Sequence, residues 1–311
     1  MKRAIAIVLA TLMLVMSLGA CQKLPNNTWS GDSPPPSATI SPSTVTPTPS
    51  PIATPNSPSI TVISREDGSG TRGAFIELFG VQDENKVDQT AATAEITNST
   101  SVMMTSVSGD PNAIGYISLG SLNDTVKAAK IDGAAATVEN INNGSYGISR
   151  PFNIAVKDGI SELGQSFIDF IMSKEGQDVI EKNGYIRVAG TGAYIGTQLS
   201  GKIVVAGSSS VSPVMEKLIE AYQLVNPGAE IELQTSDSST GMKSAIDGVC
   251  DIGMASRDLK SSEYDSGLKG VTIAMDGIAV IVNNGNSVDN LTKEQVRQIF
   301  TGEITKWSEL G

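Results

Sequence analysis

Histidine is absent from all 311 residues. Without an imidazole there is no Ser-His-Asp relay, no Cys-His pair and no histidine-ligated zinc, which excludes the commonest hydrolytic machinery. Basic side chains are also scarce, with 22 Lys and Arg against 33 Asp and Glu and a net charge of −11. Nucleic acid requires a basic footprint and is not an expected partner. A small anion stays open, because local donors rather than overall charge hold a buried anion. Only two cysteines occur, Cys21 and Cys250.

The one long apolar run, Ile5 to Leu18, is broken only by Thr11 and Ser17. It is shorter than the ~20 residues a membrane-spanning helix needs, and a core helix would not begin at Met1 behind Lys2 and Arg3. A positive start, an apolar run and the small residues Gly19 and Ala20 predict a signal peptide over 1–20. Leu18-Gly19-Ala20-Cys21 resembles a bacterial lipobox, which implies lipid on Cys21 and anchoring to the outer face of the cytoplasmic membrane. Removal of Lys2 and Arg3 leaves 20 basic residues against 33 acidic, a net charge of −13. With Cys21 lipidated no intrachain disulfide is possible. Cys250, in a helix-to-strand passage, reads as a small buried hydrophobe. Residues 22–58 contain ten prolines and almost no charge. They cannot bury enough surface to offset their ordering entropy, so 21–58 is expected to be a tether.

Beyond the tether, short apolar runs alternate with helical patterns. Strands are expected at 59–64, 114–119, 152–156, 202–206, 230–234, 251–255 and 271–282. Helices are expected at 71–79, 163–183, 214–224, 242–249 and 291–300, with Gly184 closing the second. Such alternation predicts parallel-rich sheets flanked by helices.

Three strand-to-helix turns carry the candidate chemistry. Ser64-Arg65-Glu66-Asp67-Gly68-Ser69-Gly70-Thr71-Arg72 offers hydroxyls, a glycine that lets backbone approach a ligand, and a nearby guanidinium. Together with the free amides of a helix start, these make an anion socket. Ala206-Gly207-Ser208-Ser209-Ser210-Val211-Ser212-Pro213 and Ser236-Asp237-Ser238-Ser239-Thr240-Gly241 repeat the design. Each alone reads as a capping turn. Three turns feeding helix starts from the carboxyl ends of strands form the usual ligand position of an open α/β sheet.

The first of these turns resembles a signature of the phosphate-binding proteins that serve ATP-driven bacterial phosphate importers. Ala206 to Ser210 is similar to that family's first phosphate loop, and Asp251 to Arg257 to its third. Asp276 to Asn283 looks like its crossing strand, and Ile299 to Trp307 is similarly distinctive. The resemblance implies a two-lobed, type II periplasmic-binding-protein-like α/β fold with the ligand cleft between lobes. In typical members the stretch from Ala206 precedes that from Ser59, so this chain looks circularly permuted, the original ends bridged by 188–200. A truncated or fused product in which the end at Gly311 is an artefact stays as the alternative. The lobes would comprise 59–119 with 284–311, and 120–283.

By the same resemblance, Arg65, Ser69, Gly70, Thr71, Ser209, Ser210 and Ser238 would bind phosphate, with Asp67 fixing the Arg65 guanidinium. Family members place an aspartate directly after the serine matching Ser256. That carboxylate accepts the proton of hydrogen phosphate and so rejects sulfate. Here Arg257 stands there and Asp258 follows. Asp258 would take the role through a shifted loop, or Arg257 would add a second cation, or Arg257 would face solvent. The expected partners are inorganic phosphate, the importer's permease and, through Cys21, the membrane; the protein is expected to be a monomer. No cofactor, metal or catalytic residue is expected. A binder or sensor of sulfate or molybdate is the alternative. A phosphoryl hydrolase lacks a nucleophile with an adjacent base, and a purely adhesive surface protein would bind no ligand.

Overall fold

The computed structural model describes residues 58–310 except Thr191 and Thr197. The signal peptide expected over 1–20, the lipid on Cys21 and the tether up to residue 57 lie outside the described residues. The first half runs β1 (Thr61–Arg65), α1 (Gly70–Phe79), β2 (Glu95–Thr97), α2 (Thr100–Gly109), β3 (Ala113–Ser118), β4 (Lys127–Ala128), β5 (Lys130–Ile131), α3 (Val138–Asn142), β6 (Ser149–Val156), α4 (Glu162–Met172), α5 (Lys174–Lys182) and β7 (Ile186–Arg187). The second runs β8 (Gly201–Ser208), α6 (Ser212–Val225), β9 (Ala229–Ser236), α7 (Ser238–Asp247), β10 (Ile252–Ala255), α8 (Ser261–Asp265), β11 (Lys269–Val282), β12 (Asn290–Leu291) and α9 (Lys293–Thr301).

The main sheet is ordered β2-β1-β3-β11-β6-β10-β8-β9. Its wings, β2-β1-β3 and β10-β8-β9, are parallel, as strand-helix alternation requires. Its middle is antiparallel, where β11 pairs with β3 and β6, and β6 with β10. Within the 14 residues of β11, 269–277 pair with β6 and 278–282 with β3, so this strand joins the wings.

Two apolar clusters dominate the core and form two lobes joined at β6 and β11. One is built around Phe75, Met103, Tyr116, Ile281 and Phe300, the other around Phe152, Phe167, Leu218, Tyr222 and Ile252. The expected boundary at residue 120 is displaced. Val126, Ile131, Tyr146 and Ile148 pack in the first cluster together with Ile278 to Val282. The reason is pairing: β4 joins the end of β11, and β5 joins β12, so their apolar faces are buried there.

Two local differences bear on the site. The single helix expected over 163–183 is two, because the Ser173 hydroxyl accepts from the Gly176 amide (3.2 Å) and starts α5 afresh. The helix α2 was not expected at all. Its Ser- and Thr-rich sequence has weak helical preference; the Ser99 cap and burial of Met103 and Val107 hold it.

Candidate functional site

The end of β1 delivers Arg65 to the lobe junction. Its backbone amide donates to the Tyr116 phenol oxygen (3.1 Å), which also bonds Ser64 Oγ (2.8 Å). Tyr116 is buried and stacked on Phe75 at 3.9 Å. Burial pushes its phenol up to about 12, so it stays protonated and fixed. The buried Arg65 guanidinium forms a two-pronged pair with Glu66, Nε to Oε2 at 2.8 Å and NH2 to Oε1 at 2.7 Å. NH2 also donates to Ser209 Oγ on the other lobe (3.1 Å).

Asp67, expected to fix Arg65, does not. Its side chain is 97% exposed and pairs with Arg72 at 2.8 Å. The chain turns outward directly after Glu66, which leaves the preceding carboxylate facing the guanidinium. Arg72 in turn donates to the Arg65 carbonyl oxygen (2.6 Å) and bonds Asp88 (2.9 Å), bracing the turn from outside.

Four helix starts meet beside Arg65: Gly70 and Thr71 of α1, Thr100 of α2, Ser209 and Ser210 before α6, and Ser238 of α7. Their hydroxyls bond one another across the lobes. Thr71 Oγ1 lies 2.7 Å from Ser210 Oγ and 3.3 Å from Ser256 Oγ. Thr100 Oγ1 lies 3.1 Å from Ser210 Oγ and 3.5 Å from Ser209 Oγ. Ser208 donates to Ser256 Oγ (3.0 Å), and the Ser256 amide donates to Ser238 Oγ (3.1 Å). None of these residues is more than 7% exposed. Convergent positive helix ends and rotatable hydroxyls suit a compact oxyanion.

Ser69 and Gly70 act differently from the hydroxyls. Ser69 caps α1 by accepting from the Arg72 amide (3.3 Å). Gly70 lies where the lobes approach closely: a Cβ there would lie 2.5 Å from Ser238 Oγ and 2.8 Å from Ser256 Oγ. The Arg257 guanidinium and Asp258 are not brought to the cluster, although the Arg257 stem lies beside Gly70. Arg257 forms a two-pronged pair with Glu263 (2.9 and 2.7 Å), so it is neither a second cation of the cluster nor turned freely to solvent. Asp258 is exposed and makes no shifted-loop contact with the hydroxyls.

Two contributors were missed in the sequence, Thr100 and Arg150, while Ser208 stood in the second turn without an assigned part. Thr100 follows Asn98-Ser99, a fourth Ser/Thr-rich helix start that the unexpected α2 concealed. Arg150 is the second residue of β6, and its NH2 donates to Thr71 Oγ1 (2.9 Å). Opposite it on β11 stands Asp276, with NH1 to Oδ2 at 3.4 Å. Burial pushes the Asp276 carboxyl up to about 6, against the pull of Arg150. Among the described residues no cluster of three His, Cys, Asp or Glu is arranged to hold a metal.

Two lobes, an inter-lobe strand and a buried socket of hydroxyls, helix ends and guanidinium define a two-lobed α/β binding protein. The chain belongs to the PBP superfamily, whose domain model matches residues 9–175 and 192–311. It is 59% identical over 256 residues to the phosphate-binding protein PstS 2 of Streptococcus agalactiae serotype V, covering 81% of this chain and 87% of that one. The crystal structure of a phosphate-binding protein of a phosphate ABC transporter from Streptococcus pneumoniae TIGR4 superposes with a TM-score of 0.65. It is 45% identical and covers 82% of this chain and 100% of that chain. The phosphate-binding protein PstS of Bacillus subtilis is 32% identical over 116 residues, only 36% of this chain and 38% of that one. These relatives are binding proteins rather than enzymes, and so is this chain.

Proposed function

We propose that this protein captures inorganic phosphate outside the cytoplasmic membrane and delivers it to the permease of an ATP-driven importer. The observation that carries the reading is the convergence of four helix starts, their hydroxyls and buried Arg65 on one spot between two lobes. A desolvated oxyanion needs that density of oriented donors. Arg65, Thr71, Thr100, Ser209, Ser210, Ser238 and Ser256 would donate, while Ser69 and Gly70 shape the loop. Entry of the ion would part the hydroxyls that bond each other, and the lobes would close on it as jaws.

Lipid on Cys21, a 21–58 tether and a monomeric state complete the proposal. The exchanged order of halves is supported by coverage: the streptococcal relative matches across most of both chains, whereas the Bacillus protein matches over little more than a third.

A second reading, capture of sulfate or molybdate, is favoured by one observation. Among the described residues no carboxylate bonds any hydroxyl of the cluster, since Arg257 is tied to Glu263 and Asp258 is exposed. Calorimetric titration with phosphate, sulfate and molybdate separates the two. Tight binding of phosphate alone is expected; no heat with phosphate would end the first reading.

A further inference from the structure

Among the described residues, the buried side-chain polar atoms without a hydrogen-bond partner all belong to one group. They are Ser118 Oγ, Ser121 Oγ, Tyr185 Oη, Asp276 Oδ2, and Nε and NH1 of Arg150. Arg150 and Asp276 face each other across β6 and β11, where the lobes join. The Gly120 amide donates to Asp276 Oδ1 (3.2 Å). Tyr185, its phenol raised first by burial and then by Asp276, lies beside Ser118 and Ser121.

Buried polar groups are nearly always satisfied; here NH1 and Oδ2 meet only as an ion pair at 3.4 Å, and Ser118 and Ser121 lie against Tyr185 and Asp276, so the unfilled donors are those of Arg150. A guanidinium has five donors, and Arg150, 2% exposed, makes one hydrogen bond, NH2 to Thr71 Oγ1. In that bond Thr71 accepts. Its own proton is therefore directed onward, to where Ser210 Oγ and Ser256 Oγ lie, 2.7 and 3.3 Å away. Arg150 thus makes Thr71 a donor into the socket. Burial above all, and after it the charge of Arg65, disfavour the charged form of Arg150, while Asp276 favours it. Two like charges brought together in a buried space favour an anion beside them.

We propose that Arg150 is a second cation of the anion site, a positioning residue held at the lobe junction by Asp276 that acts on the bound oxyanion through Thr71. The inference rests on the proposed capture of phosphate.

Replacing Arg150 alone would leave Asp276 buried and unpaired, so the test variant changes both, R150M with D276N. Phosphate titration of this double variant, with folding checked by thermal melting, is expected to show affinity about 30-fold below wild type. R150K, which keeps the charge, should stay within about fivefold, as a point charge without the planar fork allows. In a T71V background the double change should cost less than about threefold, because coupled residues are not additive. A folded double variant that loses less than fivefold, while R65M loses binding, overturns the inference and leaves the phosphate reading intact. No phosphate binding by wild type sinks both. Should the double variant not fold, nitrogen-15 spectra of arginine-labelled wild type decide. The Arg150 Nε resonance, assigned by its loss in R150K, is expected to move on saturation with phosphate; a resonance that stays put overturns the proposal.

Discussion

Gly70→Ala tests how closely the lobes must approach. Gly70 is not among the glycines with left-handed backbone, so alanine fits its conformation without strain. The new methyl would lie 2.5 Å from Ser238 Oγ and 2.8 Å from Ser256 Oγ, where about 3.5 Å is comfortable. Ser238 cannot turn away cheaply, since its hydroxyl accepts from the Ser256 amide at 3.1 Å. The lobes therefore have to part by roughly an ångström, and overpacking of this kind costs about 1–3 kcal/mol. Phosphate affinity should fall about 5- to 150-fold. Unfolding free energy should fall by less than about 3 kcal/mol, because alanine's helix preference over glycine, up to about 1 kcal/mol, offsets part of the overpacking. Titration calorimetry reads the first quantity and thermal unfolding the second. Gly73→Ala, whose added methyl would have nothing within 4 Å, is the control. G70A affinity within twofold of wild type would refute the reasoning, as would an equal loss in G73A.

Removing the buried guanidinium with R65M should weaken phosphate binding by about 2–5 kcal/mol, or roughly 30- to 4000-fold, measured by calorimetry. D67N, which touches only an exposed pair with Arg72, should change affinity by less than about fivefold. Y116F removes the hydroxyl shared by Ser64 and the Arg65 amide and should lower unfolding free energy in denaturant by about 1–3 kcal/mol. Asp276 holds its proton to about pH 6 when folded, and to about pH 4 when unfolded. Between those values the native state binds more protons, so this group's contribution to stability falls as pH rises, by on the order of 3 kcal/mol. Denaturant unfolding from pH 4 to 7 should show that decline in wild type and a flatter profile in the R150M/D276N double variant.

Much of the site was legible because its signals are short-range. An Asp-Gly turn, a serine cap and a glycine at a helix start operate within about four residues, and they placed Ser69, Gly70 and Thr71 correctly at the head of α1. Strand-helix alternation likewise implied the parallel wings. The partner of Arg65 was misread, because adjacent carboxylates at Glu66 and Asp67 are equivalent by spacing and differ only in which side of the turn they face. Thr100 was hidden in a segment whose helix exists by burial of Met103 and Val107 rather than by preference. Arg150 and Asp276 carry no local mark at all. They meet because two strands far apart in the chain pair in one register, and that register follows from which apolar faces each strand buries. Local chemistry thus named the loops, while long-range packing assigned their charges.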